Sequence, residues 1–130
     1  MEYTFNTRLS TSFDEAVEKV REELSLEGFG VLTEIDVQAT LKKKLDVDFK
    51  KYLILGACNP PFAYKALQAE DKIGAMLPCN VVVIEQEAGD IEVAAVDPVA
   101  SMEAVSNPDL GSVAQEVRTK LQTVISRLGS

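Results

Sequence analysis

The chain opens on alternating positions, with Tyr3, Phe5, Thr7 and Leu9 on one side and Glu2, Thr4, Asn6 and Arg8 on the other. A period of two belongs to a strand with one buried face. The period then lengthens. Ser12 followed by Glu15 has the form of a capping box, and Phe13, Ala16, Val17, Val20 and Leu24 recur at helical spacing as far as Gly28. Gly28 and Gly30 flank Phe29 and end that helix. A second strand follows, in which Val31, Thr33, Ile35 and Val37 alternate with Leu32, Glu34 and Asp36.

From Gln38 to Lys51 the pattern weakens; Leu41 and Leu45 lie one helical turn apart, which predicts a short helix and then a polar loop. Tyr52 to Cys58, reading YLILGAC, is apolar at nearly every position, the pattern of a central strand covered on both faces. Asn59 is placed to cap a helix with Pro60 at its first position, and Phe62, Ala63, Ala66 and Leu67 give that helix an inner side. After a short helical stretch at 72–77, Cys79 to Gln86 forms a fourth strand, Ala88, Gly89 and Asp90 a turn, and Ile91 to Val96 a fifth strand ended by Asp97 and Pro98. The last helix carries Leu110, Val113, Ala114, Val117, Leu121, Val124, Ile125 and Leu128 on one stripe, with Pro108 near its start and Gly129 as its stop.

These elements make an α+β fold: a largely antiparallel sheet, two long helices packed on one face and short helices in the connections. Both long helices bury a stripe on the same sheet face, which leaves the other face uncovered. On that side the first two strands present polar residues and the third and fourth present apolar ones. An uncovered apolar patch of this kind serves as a partner surface or a pocket.

Composition narrows the function classes. With 130 residues, 46% hydrophobic and 26% charged, residues 1–130 read as a single folded domain able to build a core without disulfides or metals. No apolar run approaches the roughly 20 residues of a membrane span, and the first residues lack the basic start and apolar stretch of an export signal. A cytoplasmic address and two free thiols are therefore expected. The absence of histidine removes His-dependent triads and the usual His-rich metal sites. A net charge of −8 opposes nucleic-acid binding. Lys42, Lys43, Lys44, Lys50 and Lys51 gather locally, either to attract a phosphorylated or acidic partner or as a solvated helix face.

The segments ILGACNPPFAYKAL (54–67) and GAMLPCNVVV (74–83), each holding one cysteine flanked by proline, resemble the paired signature of a prokaryotic family known as domain of unknown function 302. The resemblance runs over essentially the whole chain. It implies a fold similar to the TATA-binding-protein class, in a β-α-β4-α arrangement, and dimers in some relatives. It brings no established activity.

Cys58 sits at a strand end just before a helix start, where amide dipoles favour a thiolate; the placement suits a nucleophile, a redox thiol or an anion pocket. It equally suits a small buried residue at a tight turn. Cys79 meets it only if the third and fourth strands are antiparallel neighbours. Two cysteines fall short of the four ligands of structural zinc, so no metal or other cofactor is expected within one chain, and only a site shared across a dimer stays open. Glu34 and Asp36, on one strand face, form either a carboxylate pair for acid-base work or part of a solvated surface. Phe62 and Tyr64 follow the double proline, Phe62 inward and Tyr64 outward.

Two functional readings follow. In the first the chain is a homodimeric module that binds an unidentified small molecule near Cys58, Asn59, Pro60, Tyr64 and Cys79, with Glu34 as a further candidate, and has neither nucleic acid nor membrane as partner. In the second it is a thiol-dependent enzyme or redox protein using Cys58.

Overall fold

The computed structural model describes residues 2–129, so the Met1 and Ser130 ends of the expected domain lie outside the described residues. The elements run β1 (Thr4–Leu9), α1 (Phe13–Leu26), β2 (Gly30–Asp36), α2 (Val37–Leu45), β3 (Tyr52–Cys58), α3 (Pro60–Ala69), β4 (Cys79–Glu85), β5 (Ile91–Val96), α4 (Pro98–Ser101) and α5 (Gly111–Leu128). A 3₁₀ segment at Asp71–Met76 precedes β4 and another at Pro108–Leu110 precedes α5. Apart from α4, every element follows from the periodicity.

Local hydrogen bonds set the ends of α1. The Ser12 hydroxyl accepts from the Glu15 N–H at 3.2 Å, while the Glu15 carboxylate, instead of closing the box, accepts from the Thr11 hydroxyl at 2.8 Å. At the other end Gly28 (φ +86°) supplies the left-handed residue of a Schellman turn. Phe29 N–H donates to the Leu24 carbonyl at 2.9 Å and Gly28 N–H to that of Ser25 at 3.0 Å. The turn delivers Phe29, buried, onto Leu24.

Val37 does not extend β2, as its alternation suggests, but begins α2. The Asp36 carboxylate accepts from the Ala39 N–H at 2.9 Å, and this N-cap overrides the strand preference of valine. Lys42, Lys43 and Lys44 fill the last turn of α2, where cations offset the carbonyl end of the helix dipole, and Lys42 pairs with Asp46 and Asp48 at 3.1 and 3.3 Å.

The five strands form one antiparallel sheet in the order β1-β5-β4-β3-β2. β4 is therefore the middle strand, with β3 beside it. One face carries the cross-strand rows Leu55, Val81, Ala95, Phe5 and Leu53, Val83, Val93, Thr7. α1 and α5 cover this face with Val20 and Leu24 from one helix and Leu121 and Val124 from the other, all fully buried. Arg127 of α5 reaches the Glu27 carboxylate at 2.9 Å and fastens the two helices together at their edge.

β3 is covered by helices on one face only, contrary to what its apolar run suggests. Leu53, Leu55 and Ala57 are buried under the helices, whereas Tyr52, Ile54 and Cys58 alternate onto the other side and are half-buried. On that side a row runs Ile35, Ile54, Val82, Ala94, Asn6 across all five strands. Val82, Ala94 and Asn6 of this row also line a groove of about 360 Å³, together with Tyr52, Asn80, Ile84 and Val96.

β2 departs from simple alternation. Val31 pairs with Ala57 and Thr33 with Gly56, so Leu32 is an extra residue, a β-bulge. Val31 consequently joins the helix-covered face and Thr33 and Ile35 the open one. The same register turns Glu34 and Asp36 toward the helix side, where the Arg21 guanidinium of α1 donates to the Glu34 carboxylate.

Candidate functional site

β3, α3 and β4 converge at one corner of the sheet because β3 runs straight into α3 and β4 returns antiparallel beside β3. Ala57 is the cross-strand partner of Cys79, so Cys58 stands one position along and on the alternate pleat. Both thiols are free. The pairing expected between β3 and β4 thus brings the cysteines into neighbouring positions without joining them.

Asn59 occupies the capping position of α3, yet its side chain makes no cap hydrogen bond. Its Nδ2 instead donates to the backbone carbonyl of Glu27 at 3.0 Å, while its own carbonyl accepts from the N–H groups of Phe62 and Ala63 at 3.1 and 3.0 Å. One buried amide therefore ties the end of α1 to the start of α3. Gly28 permits the approach, since a Cβ there would stand 3.2 Å from Asn59 Nδ2.

Gly56, inside the β3 run, is required by its neighbours. A Cβ on it would lie 2.1 Å from Thr33 Oγ1 and 2.7 Å from Pro78 Cγ. Absence of a side chain lets the bulged β2 and the cis Leu77–Pro78 segment close on β3 together.

Inside this corner lies a cavity of about 250 Å³. Its sheet wall is Ala57, Cys58 and Cys79; its α3 wall is Phe62, Ala63, Ala66 and Leu67; its α5 wall is Val113, Ala114 and Val117. Phe29 and Met102 also line it, as do the exposed Leu32 and Leu67. The lining is almost wholly carbon. Asn59, the one amide on it, has its Nδ2 engaged by Glu27.

Burial pushes the Cys79 thiol up to about 11 from an ordinary 9.0, and the nearby Cys58 adds to the shift. Cys79 is therefore an apolar wall group at neutral pH.

Of the candidate residues, the fold brings Cys58, Asn59 and Cys79 onto one cavity wall and leaves three outside it. Pro60 is exposed at the first position of α3. Tyr64 is 65% exposed, one helical position off the inner side. Glu34 is exposed at the β2 edge and ion-paired with Arg21, so neither it nor Asp36 forms an acid-base pair in the cavity. Phe29, Met102 and the α5 wall escaped the sequence reading, although the spacing of Val113, Ala114 and Val117 carried the signal. From the sequence that stripe reads as sheet packing; in the fold its first turns line the cavity.

The family model for the domain of unknown function DUF302 matches residues 5–128. The chain belongs to the DUF302 family. A crystal structure of an uncharacterized conserved DUF302 protein from Bacillus stearothermophilus superposes with a TM-score of 0.90 at 29% sequence identity, covering 98% of this chain and 99% of that one. No protein of curated function matches this DUF302 chain. The cavity, both cysteines and the Asn59 tether all fall within the matched residues.

Proposed function

We propose that this DUF302 chain is a homodimeric module that binds a small apolar molecule in the cavity beside Cys58 and Cys79. The observation that carries the reading is the cavity itself: about 250 Å³, lined almost wholly by carbon from the sheet, α3 and α5. Small-molecule sites are concave and mainly apolar with few polar groups, and apolar cavities of this order stay dry and take up hydrocarbon. Thiol chemistry has less support, because a reactive cysteine needs an electropositive setting and the walls next to Cys58 are apolar.

The homodimer rests on the open sheet face. Ile35, Ile54 and Val82 form a contiguous apolar row there, and Ile35 is 49% exposed. A two-fold contact would lay that row on its own copy. Native mass spectrometry at micromolar concentration is the test. A dimer, with a retained mass of a few hundred daltons or less per chain, is expected; an unliganded monomer alone would overturn the reading.

A further inference from the structure

The cavity lining is empty of charge and rich in sulfur. Among the described residues no Asp, Glu, Lys or Arg lines it, and Cys79, whose thiol burial pushes up, keeps its proton at neutral pH. Asn59 has its Nδ2 held by the Glu27 carbonyl. A carboxylate or ammonium group carried into such a lining would lose its hydration and meet no opposite charge, so the lining selects an uncharged occupant.

The chain has 2 cysteines and 3 methionines, and Cys58, Cys79 and Met102 all line this one cavity. Phe29 and Phe62 add two aromatic rings to it. Divalent sulfur packs favourably against the edge of an aromatic ring, and rings meet one another edge-to-face or offset, so these five side chains favour an aromatic occupant over a saturated one of the same shape. Size follows from volume: a cavity of about 150 Å³ takes benzene, so on that scale about 250 Å³ holds roughly ten carbon atoms. A rigid pair of rings also has no internal rotations to lose, unlike a chain of the same carbon number. We propose that the ligand class is an uncharged two-ring aromatic of the size of naphthalene, held among Cys58, Cys79, Met102, Phe29 and Phe62. This rests on the small-molecule reading above and adds the chemical class to it.

The chain has no tryptophan, so naphthalene emission can be followed free of indole emission. The test titrates the intact protein into naphthalene and, separately, into 1-naphthoate, reading the anisotropy of each ligand's own fluorescence; decalin, the saturated counterpart, is measured by displacement of naphthalene. Expected is one naphthalene per chain, bound about fivefold or more tightly than decalin and about tenfold or more tightly than 1-naphthoate. Met102→Leu removes a sulfur at nearly the same volume and should narrow the naphthalene-to-decalin ratio about twofold. Ala63→Leu, at a half-buried lining position of α3, should fill part of the cavity and weaken naphthalene about tenfold with the circular dichroism unchanged. Equal affinity for naphthalene and decalin would overturn the aromatic assignment, and 1-naphthoate bound as tightly as naphthalene would overturn the uncharged one; either result leaves the apolar site standing. Binding of neither naphthalene nor decalin would overturn the apolar site as well. Unchanged naphthalene affinity in a folded Ala63→Leu variant would place the ligand elsewhere and sink the proposal.

Discussion

Asn59 Nδ2 donates to the carbonyl of Glu27, a bond of 3.0 Å between residues 32 positions apart, and so the beginning of α3 is held by the end of α1. The amide is buried, and its removal leaves a carbonyl without that donor. Asn59→Ala should cost about 1–3 kcal/mol. Asn59→Asp should cost at least as much, since it sets a carboxylate oxygen where the donor was. Urea denaturation checks both, and a change below about 0.5 kcal/mol for Asn59→Ala would mean that the tether contributes little.

Gly56→Ala places a methyl 2.1 Å from Thr33 Oγ1 and 2.7 Å from Pro78 Cγ. Overpacking of this kind typically costs about 1–3 kcal/mol. Thr33→Ala removes the nearer clash and should restore part of the loss in the double variant, leaving the contribution of Pro78. A double-mutant cycle with no coupling would contradict the close approach.

Cys79 should resist alkylation while the protein is folded. At pH 8 its thiol stays protonated, pushed up to about 11, and the thiolate is the reactive form. Intact mass after iodoacetamide should show at most one label per folded chain and two in denaturant. The same shift makes stability fall with pH. The folded thiol keeps its proton above the ordinary 9.0 while the unfolded one loses it, so the contribution is complete below about 9 and lost as pH rises to about 11. The loss over that window is about 2–3 kcal/mol at most. Cys79→Ala should flatten this part of the pH profile.

Leu121, fully buried between α5 and the sheet, should be among the costliest truncations. Leu121→Ala is expected to lose about 2–5 kcal/mol, with the midpoint of urea denaturation as readout. Leu67→Ala, at a cavity-lining position that is 45% exposed, should cost much less by the same readout.

What the sequence made legible is what neighbouring residues decide. Ser12 caps α1 through a residue three positions on, the Gly28 turn ends it through residues three and four before that glycine, and the α5 stripe repeats within its own helix. The antiparallel return of β4 beside β3 was also within reach, and with it the corner that holds Cys58, Asn59 and Cys79. The readings that changed depend on distant partners or on close competition between local states. Val37 sits where an aspartate cap and a strand preference compete, and the cap prevails. Asn59 has a capping side chain that finds a better acceptor in Glu27. Glu34 shares a face with Asp36 in either register, but only the pairing of Glu34 with Leu55 brings it toward Arg21 and away from the cavity. The α5 stripe marks Val113, Ala114 and Val117 as inward, but only the tertiary fold turns them toward the cavity and not the sheet.

The Leu32 bulge gives β2 seven residues over six paired positions. Strands ordinarily cannot change length by one, because the loss of a residue turns every side chain beyond it to the opposite face. Here the surplus is already built in: with Leu32 deleted, Val31 still meets Ala57 and Thr33 still meets Gly56. Position 32 is thus a point at which this strand tolerates a single-residue deletion, and the deletion would remove a cavity-lining side chain without inverting the sheet edge. Deleting Ile35 has no such remedy: whether or not the bulge is absorbed, Glu34 or Asp36 then stands opposite Ile54 and sets a carboxylate in the apolar row of the open face.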